Sequence, residues 1–455
     1  METPARVDIA QRIDNSRLGS FQLTVFFLCG LCLFMDGFDT QAIAYVAPTI
    51  VREWNIQRSA LGVVLSAAPF GVLIGSLLFS MIADRIGRRP VLIGVTLYYA
   101  ILTLITARAA SVNQLLAIRF IAGIGLGGIM PNAVSLVGEY SPRRARVPVM
   151  MVVGNCFSAG AAIGGFVAAQ LIQSYGWRSV FYFGGSIPLA ISLVMLFALP
   201  ESLHFLAVRE KSLHKIRRWL QRIDPSAPAG ESTRYVLTEK AHRGVPWVQL
   251  FHEGRALGTV LIWLLNFMNL LNLYFLTLWL PTVVADIGYS APVAVRVGAT
   301  LQLAGAIGAF LQGWLIHRFG FVPVLATGFG LATLNIALIG YPGISLALLV
   351  VVVSIAGLGV VGGQSGVNAF SATFYPTDIR STGVGAGLGV GRVGAIVGPY
   401  LGGQLIALHW TNQQLFLASA VPALISAIVM AALHWVVKPK AVAAPLVGQA
   451  SAYPN

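Results

Sequence analysis

The sequence predicts an all-α membrane protein: twelve transmembrane helices in two pseudo-symmetric six-helix bundles. Three observations carry this: an apolar composition, twelve apolar runs of spanning length, and an internal repeat about 234 residues apart. Of 455 residues, 56% are hydrophobic and only 10% charged, with a mean hydropathy of +0.78. A soluble domain of ordinary composition carries about 25% charged residues.

A helix crosses the hydrocarbon core with about 20 apolar residues. Runs of that kind occupy Phe21 to Ala47, Leu61 to Ala83, Val91 to Ala107, Leu115 to Gly138, Val147 to Ile172 and Val180 to Leu199. A second six occupy Leu257 to Ala285, Val293 to Ile316, Phe321 to Gly340, Ile344 to Phe370, Thr382 to Ala407 and Leu415 to Val437. The first run is longer than a signal-peptide core and is read as a retained helix. The expected organisation is a cytoplasmic N-terminal segment (1–20), a first bundle (21–199), a cytoplasmic linker (200–255), a second bundle (256–437) and a cytoplasmic tail (438–455).

The net charge of +14 raises nucleic-acid binding as a possibility, and the distribution of the charges opposes it. With both termini taken as cytoplasmic, 23 of the 30 Lys and Arg residues fall on that side and five outside: Arg52, Arg58, Arg108, Arg178 and Arg296. This is the positive-inside bias of a multi-pass protein. The remaining two, Arg119 and Arg392, lie within spans, as do two acids, Asp36 and Asp39. Four charges at membrane depth, two of each sign, need an explanation.

The repeat relates the two sets of spans. Ile121, Ala122, Gly123, Gly125, Pro142 and Arg146 recur as Ile355, Ala356, Gly357, Gly359, Pro376 and Arg380. Gly160, Ala161, Gly164, Gln170, Leu171 and Ile172 recur as Gly394, Ala395, Gly398, Gln404, Leu405 and Ile406. Similarly oriented halves of this kind place a substrate site near the bilayer midplane between them, open alternately to each side. Arg392 corresponds to Ser158, so its charge belongs to one half alone.

Asp36 and Asp39 are three residues apart in an otherwise uncharged stretch, which puts both carboxylates on one helix face. Each costs roughly 2.5 to 3.5 kcal/mol on insertion scales, a penalty characteristic of groups that pair, face water or do chemistry. The linker holds His204, His214, His242 and His252 without ligand-type spacing and is read as a solvated, membrane-facing tether. Cys29, Cys32 and Cys156 all fall in spans and are read as structural thiols. The glycine-rich stretches Gly123 to Gly128 and Gly383 to Gly391 follow no strand, so they suit close helix packing rather than nucleotide binding.

Asp84-Arg-Ile-Gly-Arg-Arg89, between the second and third spans, resembles the loop signature of the major facilitator superfamily. Asp36-Gly-Phe-Asp39, the stretch from Arg119 through Met130-Pro-Asn132 to Glu139-Tyr140, Tyr274 to Pro281, and Gly391 to Pro399 together resemble its aromatic acid:proton symporters. The resemblance covers nearly the whole chain. It implies a major facilitator fold and import of benzoate-like or hydroxybenzoate-like anions with protons across a bacterial inner membrane. By motif position it implies importance for Asp36, Asp39, Arg119, Glu139 and Arg392. Ser80 stands where the signature usually begins with Gly, and His317 where the second-half copy is usually acidic.

A buried guanidinium offers a planar fork that matches a carboxylate and stays charged. Arg392, near the middle of its span, is therefore expected at the substrate carboxylate, and Arg119, nearer the outer end of the fourth span, is expected to pair with Asp39. In the alternative, both arginines only neutralise the aspartates. The Asp36/Asp39 pair is expected to carry the proton, since burial and mutual repulsion both favour a shared proton. The substrate-contact candidates are Arg392, Arg119, Asn132, Phe38, Tyr274, Trp279, Gln302, Gln364 and Asn368, with Phe34 and Phe370 as further ring neighbours. Asp84, Arg85, Arg88, Arg89, Glu139 and Arg380 are expected to act in gating, the arginines bridging to the opposite half in one state only or else merely setting topology.

No cofactor or metal is expected, and the expected partners are a small aromatic carboxylate, protons and lipid, with the chain a monomer. A proton-driven exporter is the nearest alternative, and Gly160-Ala-Ala-Ile-Gly-Gly165 lacks the proline common in antiporters of the family. An enzyme would need a nucleophile with its base or clustered ligands at depth, and none is evident.

Overall fold

The computed structural model describes residues 6–209, 213–225, 234–236, 247–341, 343–376 and 379–436. The expected tail (438–455), Val437 at the end of the last run, and His242 of the linker lie outside the described residues. Twelve helices among the described residues are long and apolar enough to cross a membrane. Spans one to six are Ser20–Trp54, Arg58–Ile86, Arg88–Thr106, Val112–Tyr140, Arg143–Tyr175 and Arg178–Ala198. Spans seven to twelve are Ala256–Asp286, Ala291–Phe319, Phe321–Ile339, Leu346–Phe374, Arg380–Ala407 and Asn412–Val436. Several helices outrun their apolar windows, because hydropathy marks the hydrocarbon segment while the helix continues into the polar interface.

Span four is broken between Val112–Gly127 and Ile129–Tyr140. Pro131 explains the break, since it lacks an N–H and its ring crowds the carbonyl four residues back. Elsewhere the repeat seen in sequence is a repeat in geometry. Gly87 and Gly320, closing spans two and eight, both have positive φ, 107° and 85°. Each donates its N–H to the carbonyl four residues earlier, Ala83 and Ile316 respectively. Only glycine adopts this conformation without strain. Likewise Arg146 Nε donates to Ser141 O at 3.4 Å, and its counterpart Arg380 Nε to Tyr375 O at 3.5 Å.

Within each bundle one helix pair is drawn together by small residues. A Cβ on Gly160 of span five would meet the Phe34 carbonyl of span one at 1.8 Å; on the equivalent Gly394 of span eleven it would meet the Phe267 carbonyl of span seven at 2.3 Å. Spans one and seven, which carry the polar residues at depth, are thereby fixed against their bundles.

The described part of the linker carries regular structure that a solvated tether would lack. It contains the helices Leu203–Val208 and Leu213–Ile223, and a strand Arg234–Val236 that pairs in parallel with Arg6–Asp8. A short helix, Ile9–Asn15, follows that N-terminal strand. Arg12 pairs with Asp224 of the linker at 3.0 Å, and Asp14 pairs with Arg146 of span five at 3.0 Å. The N-terminal segment and the described part of the linker thus strap one end of the first bundle, using an alternation of apolar and charged residues too short to register as spans.

The close crossing at Gly160 gives a direct test. Gly160→Leu is expected to lower the thermal midpoint of the purified protein, consistent with about 1–3 kcal/mol of overpacking. Gly154→Leu, on the same helix with open space at its Cβ position, is expected to leave the midpoint nearly unchanged. Equal midpoints for both variants would show that the crossing is not tight.

Candidate functional site

The four charges at membrane depth divide into two unlike pairs. Asp39 of span one and Arg119 of span four are both 0% exposed and form an ion pair, Arg119 Nη1 to Asp39 Oδ2, at 3.0 Å. Arg119 Nη2 also donates to the Asp39 backbone carbonyl at 3.0 Å, and Thr103 Oγ1 of span three donates to Asp39 Oδ1 at 2.7 Å. This carboxylate is therefore held by two neighbouring helices of its own bundle. Arg119 pairs as its depth predicts, and that removes it from the substrate-contact candidates: no part of its side chain reaches open space.

Asp36, one turn earlier, has a different environment. Its only direct side-chain bond among the described residues is from Thr40 Oγ1 at 3.5 Å. It lies within electrostatic reach of Asp39 and, across the divide between the halves, of Arg392. Tyr274 of span seven lies within reach of both Arg392 and Asp36. Arg392 is half-buried and makes no hydrogen bond or ion pair of its own among the described residues. The result is a carboxylate, a phenol and an unshared guanidinium gathered at mid-span from spans one, seven and eleven.

Beside Arg392 stands a chain of amides. Gly391 packs against Asn266 of span seven. Asn269 Nδ2 donates to Gln364 Oε1 at 2.8 Å, and Gln364 Nε2 donates to Asn266 Oδ1 at 3.3 Å and Asn368 Oδ1 at 3.0 Å. Gln364 and Asn368 of span ten, expected as polar partners, are half-buried members of this chain. Asn266 and Asn269 were not singled out from the sequence, although amides three apart in an apolar span carry the same signal as the aspartates.

Several expected contacts are corrected by packing. Trp279 is 1% exposed, sits against Gly402, and donates its indole N–H to the Pro399 carbonyl at 3.0 Å, fastening span seven to span eleven. Phe38 is 1% exposed and wedged against Gly164 and Gly184. Asn132 donates to the Gly128 carbonyl at 2.7 Å across the break in span four, and Gln302 is 3% exposed. Phe370 belongs to an aromatic cluster with Phe321 and Phe374. These five side chains are buried in this conformation and do not line an open site; Phe34 remains partly buried at the edge of the first core.

Four of the gating candidates, Asp84, Arg88, Arg89 and Glu139, bond within the first half and the linker among the described residues. Arg88 pairs with Glu139 at 2.7 Å, and Ser202 donates to Glu139 as well. Arg89 donates through Nε to Leu199 O at 2.7 Å, while Arg209 donates to the Asp84 carbonyl at 3.4 Å. Arg85 and Arg380 are exposed. A residue missed from the sequence organises this loop: the Glu201 carboxylate accepts from the N–H groups of Arg88, Arg89 and Ser202, at 3.0, 3.1 and 2.8 Å. Burial pushes its carboxyl above the usual range, and those amides offset the shift only in part.

Contacts between halves gather at the opposite end. Arg58 of span two and Asp286 of span seven form an ion pair. Gly62 of span two abuts Gly403 of span eleven, where an added Cβ would lie 2.6 Å from its Cα, and Gly165 of span five abuts Ala299 of span eight. The halves are therefore closed together where spans one and two, and seven and eight, are joined.

The sequence pattern of the Major Facilitator Superfamily matches residues 29–386 and 262–452. The chain belongs to this superfamily. It is a multi-pass membrane transporter and not an enzyme. It is similar to the 4-hydroxybenzoate transporter PcaK of Pseudomonas putida, with 39% identity over 93% of this chain and 94% of that protein. It is also similar to a gallate transporter of Pseudomonas putida, with 36% identity over 94% of this chain and 95% of that one. In structure it resembles a bacterial homologue of the human lysosomal transporter Spinster, with a TM-score of 0.71 at 18% identity, covering 92% of this chain and 98% of that one.

In a major facilitator protein the two aspartates of span one can be told apart by stability. Asp39→Asn leaves Arg119 buried without a counter-charge and is expected to cost about 3–5 kcal/mol, seen as a marked fall in thermal midpoint. Asp36→Asn, which breaks no ion pair, is expected to change the midpoint little. Equal losses would contradict the division into a structural and a free carboxylate.

Proposed function

We propose that this transporter imports an aromatic carboxylate of the benzoate or hydroxybenzoate class together with protons, by alternating access across a bacterial inner membrane. Both termini lie in the cytoplasm, since 23 of 30 basic residues then fall on the cytoplasmic side. The observation that carries the reading is Arg392: a mid-span guanidinium with no hydrogen bond or ion pair among the described residues, confined to one half and within electrostatic reach of the Asp36 carboxylate of the other. The names of the relatives above support the substrate class, both being transporters of carboxylated phenols.

Coupling follows from competition for one cation. With the site empty, Arg392 is the nearest positive charge in the opposite half to Asp36. An incoming carboxylate takes the guanidinium fork, which leaves Asp36 with a second anion nearby and only Thr40 bonded to it. Proton uptake relieves that repulsion. The anion and the proton are then held together, and the neutral assembly is the one that favours rocking of the halves. With a single proton per monoanion the cycle responds only to the pH difference; a second proton adds about 2.3 kcal/mol per 100 mV of membrane potential.

The ring lies among apolar side chains near Tyr274, and its hydroxyls meet the half-buried Gln364 and Asn368 amides, while the buried Asn266 and Asn269 hold Gln364 in place. A ring hydroxyl can bond the remaining polar sites of Gln364 and Asn368, which a bare ring would cover without a partner, and this favours hydroxylated rings. The pair Arg58 and Asp286 acts as an outer latch, closed in the inward-open arrangement. Arg88, Arg89, Glu139 and Glu201 keep the cytoplasmic ends of the first half rigid as it moves.

Arg392→Ala is expected to weaken binding of labelled 4-hydroxybenzoate to the purified protein by about a hundredfold, in line with about 1.5–3 kcal/mol for a hydrogen bond to a charged group. Wild-type protein in proteoliposomes is expected to accumulate the same compound when the lumen is made alkaline. Unchanged affinity in the variant would remove Arg392 from the carboxylate site. An absence of gradient-driven accumulation of benzoate, 4-hydroxybenzoate and gallate would overturn the substrate class.

A further inference from the structure

A cavity of about 470 Å³ lies away from the midplane, at the ends of spans one, three and six on the face that carries the linker. Its volume is that of a ligand site, roughly 300–1,000 Å³. One wall is the linker helix Leu213–Ile223, which is amphipathic in the strict sense: Ile216, Leu220 and Ile223 are buried, while Lys215, Arg218 and Arg222 share the exposed face. All three cations line the cavity, together with Trp219, Phe21 and Phe197. Phe197, at the end of span six, is 90% exposed.

The charges on this wall are unmatched. Lys215 and Arg218 make no hydrogen bond or ion pair among the described residues, and the Arg222 guanidinium lies over the Phe21 ring at 5.7 Å. The remaining charged lining groups, Arg89 and Glu201, are occupied. Arg89 donates to the Leu199 and Leu196 carbonyls. The carboxylate of Glu201 accepts from three backbone N–H groups, so it contributes little repulsion toward an anion. Three cations of one helix therefore converge on a partly apolar hollow at the membrane surface.

We propose that this cavity binds the phosphate headgroup of an anionic glycerophospholipid in the adjoining leaflet, cytoplasmic in the orientation given above. Lys215, Arg218 and Arg222 receive the phosphate, and Phe21 and Phe197 flank the glycerol and first acyl carbons. Two features favour a lipid over a soluble anion. The hollow opens beside an exposed phenylalanine at the end of a span, and the linker helix, its apolar face already buried against the protein, turns its basic face to the cavity at the level of the span ends. Basic pockets on the cytoplasmic side of transmembrane helices bind such headgroups through about 1 kcal/mol per basic residue. Occupancy would pin the linker helix to the first bundle, because the same lipid would touch span one through Phe21 and span six through Phe197.

The test is native mass spectrometry of the full-length protein equilibrated with phosphatidylglycerol or phosphatidylcholine. Wild type is expected to retain phosphatidylglycerol preferentially, and the double variant Lys215→Gln/Arg218→Gln is expected to retain about tenfold less. Arg108→Gln, an exposed change outside the cavity, serves as the control and is expected to match wild type. Substrate binding at the midplane is expected to persist in the double variant, which separates this site from the transport site and shows that the protein is folded. Equal retention of phosphatidylglycerol by wild type and double variant, or equal retention of phosphatidylcholine and phosphatidylglycerol, would overturn the proposal. Displacement of the lipid by millimolar inorganic phosphate would identify a free-anion site instead and would overturn it too.

Discussion

The ion pair between Asp39 and Arg119 is the constraint on which the remaining chemistry rests. Two charges buried at depth are tolerable only when paired and hydrogen-bonded. Here the pairing is completed by Thr103 and by the Asp39 backbone carbonyl, from spans three and one. Because this arrangement consumes one acid and one base inside the first bundle, it leaves one of each sign, Asp36 and Arg392, on opposite sides of the divide. Span one therefore carries two unlike carboxylates three residues apart: Asp39, turned into its own bundle, secures the helix, and Asp36 has no ion pair among the described residues.

The divide itself is built from small residues and one exposed ion pair. Gly62 against Gly403 and Gly165 against Ala299 bring the two halves together at the end away from the linker. By contrast, the crossings of spans one with five and seven with eleven occur inside each bundle and place glycine under a neighbouring carbonyl. The basic loop beyond span two fits the same division, since Arg88 and Arg89 are bound to groups of the first half and move with it.

Much of this was legible in the sequence because the signals involved are long or costly. Twelve apolar runs identify twelve spans, a spacing of 234 exposes the two halves, and the four charges in hydrocarbon stand out by their cost. What could not be read was the rotation of each helix about its axis. Spans one, seven and eleven are apolar on nearly every side, so periodicity gives no direction, and Phe38, Trp279, Asn132 and Gln302 look as eligible for substrate as Tyr274 or Gln364. Only packing decides: Trp279 is claimed by the Pro399 carbonyl, and Phe38 by the hollow over Gly164. Asn266 and Asn269 were visible but undervalued, since uncharged amides cost less at depth than carboxylates. Glu201 and the folded part of the linker were illegible for another reason, being short polar elements whose order comes from contacts with distant span ends.

The central claim is that Asp36, and not Asp39, exchanges the transported proton while Arg392 holds the anion. It is tested most directly by comparing two activities of Asp36→Asn in proteoliposomes: accumulation of 4-hydroxybenzoate driven by an imposed pH gradient, and exchange of labelled for unlabelled substrate with no gradient. A permanently neutral side chain at position 36 is predicted to abolish accumulation and preserve exchange. Accumulation that persists in this variant and still collapses when the pH gradient is removed would contradict the account.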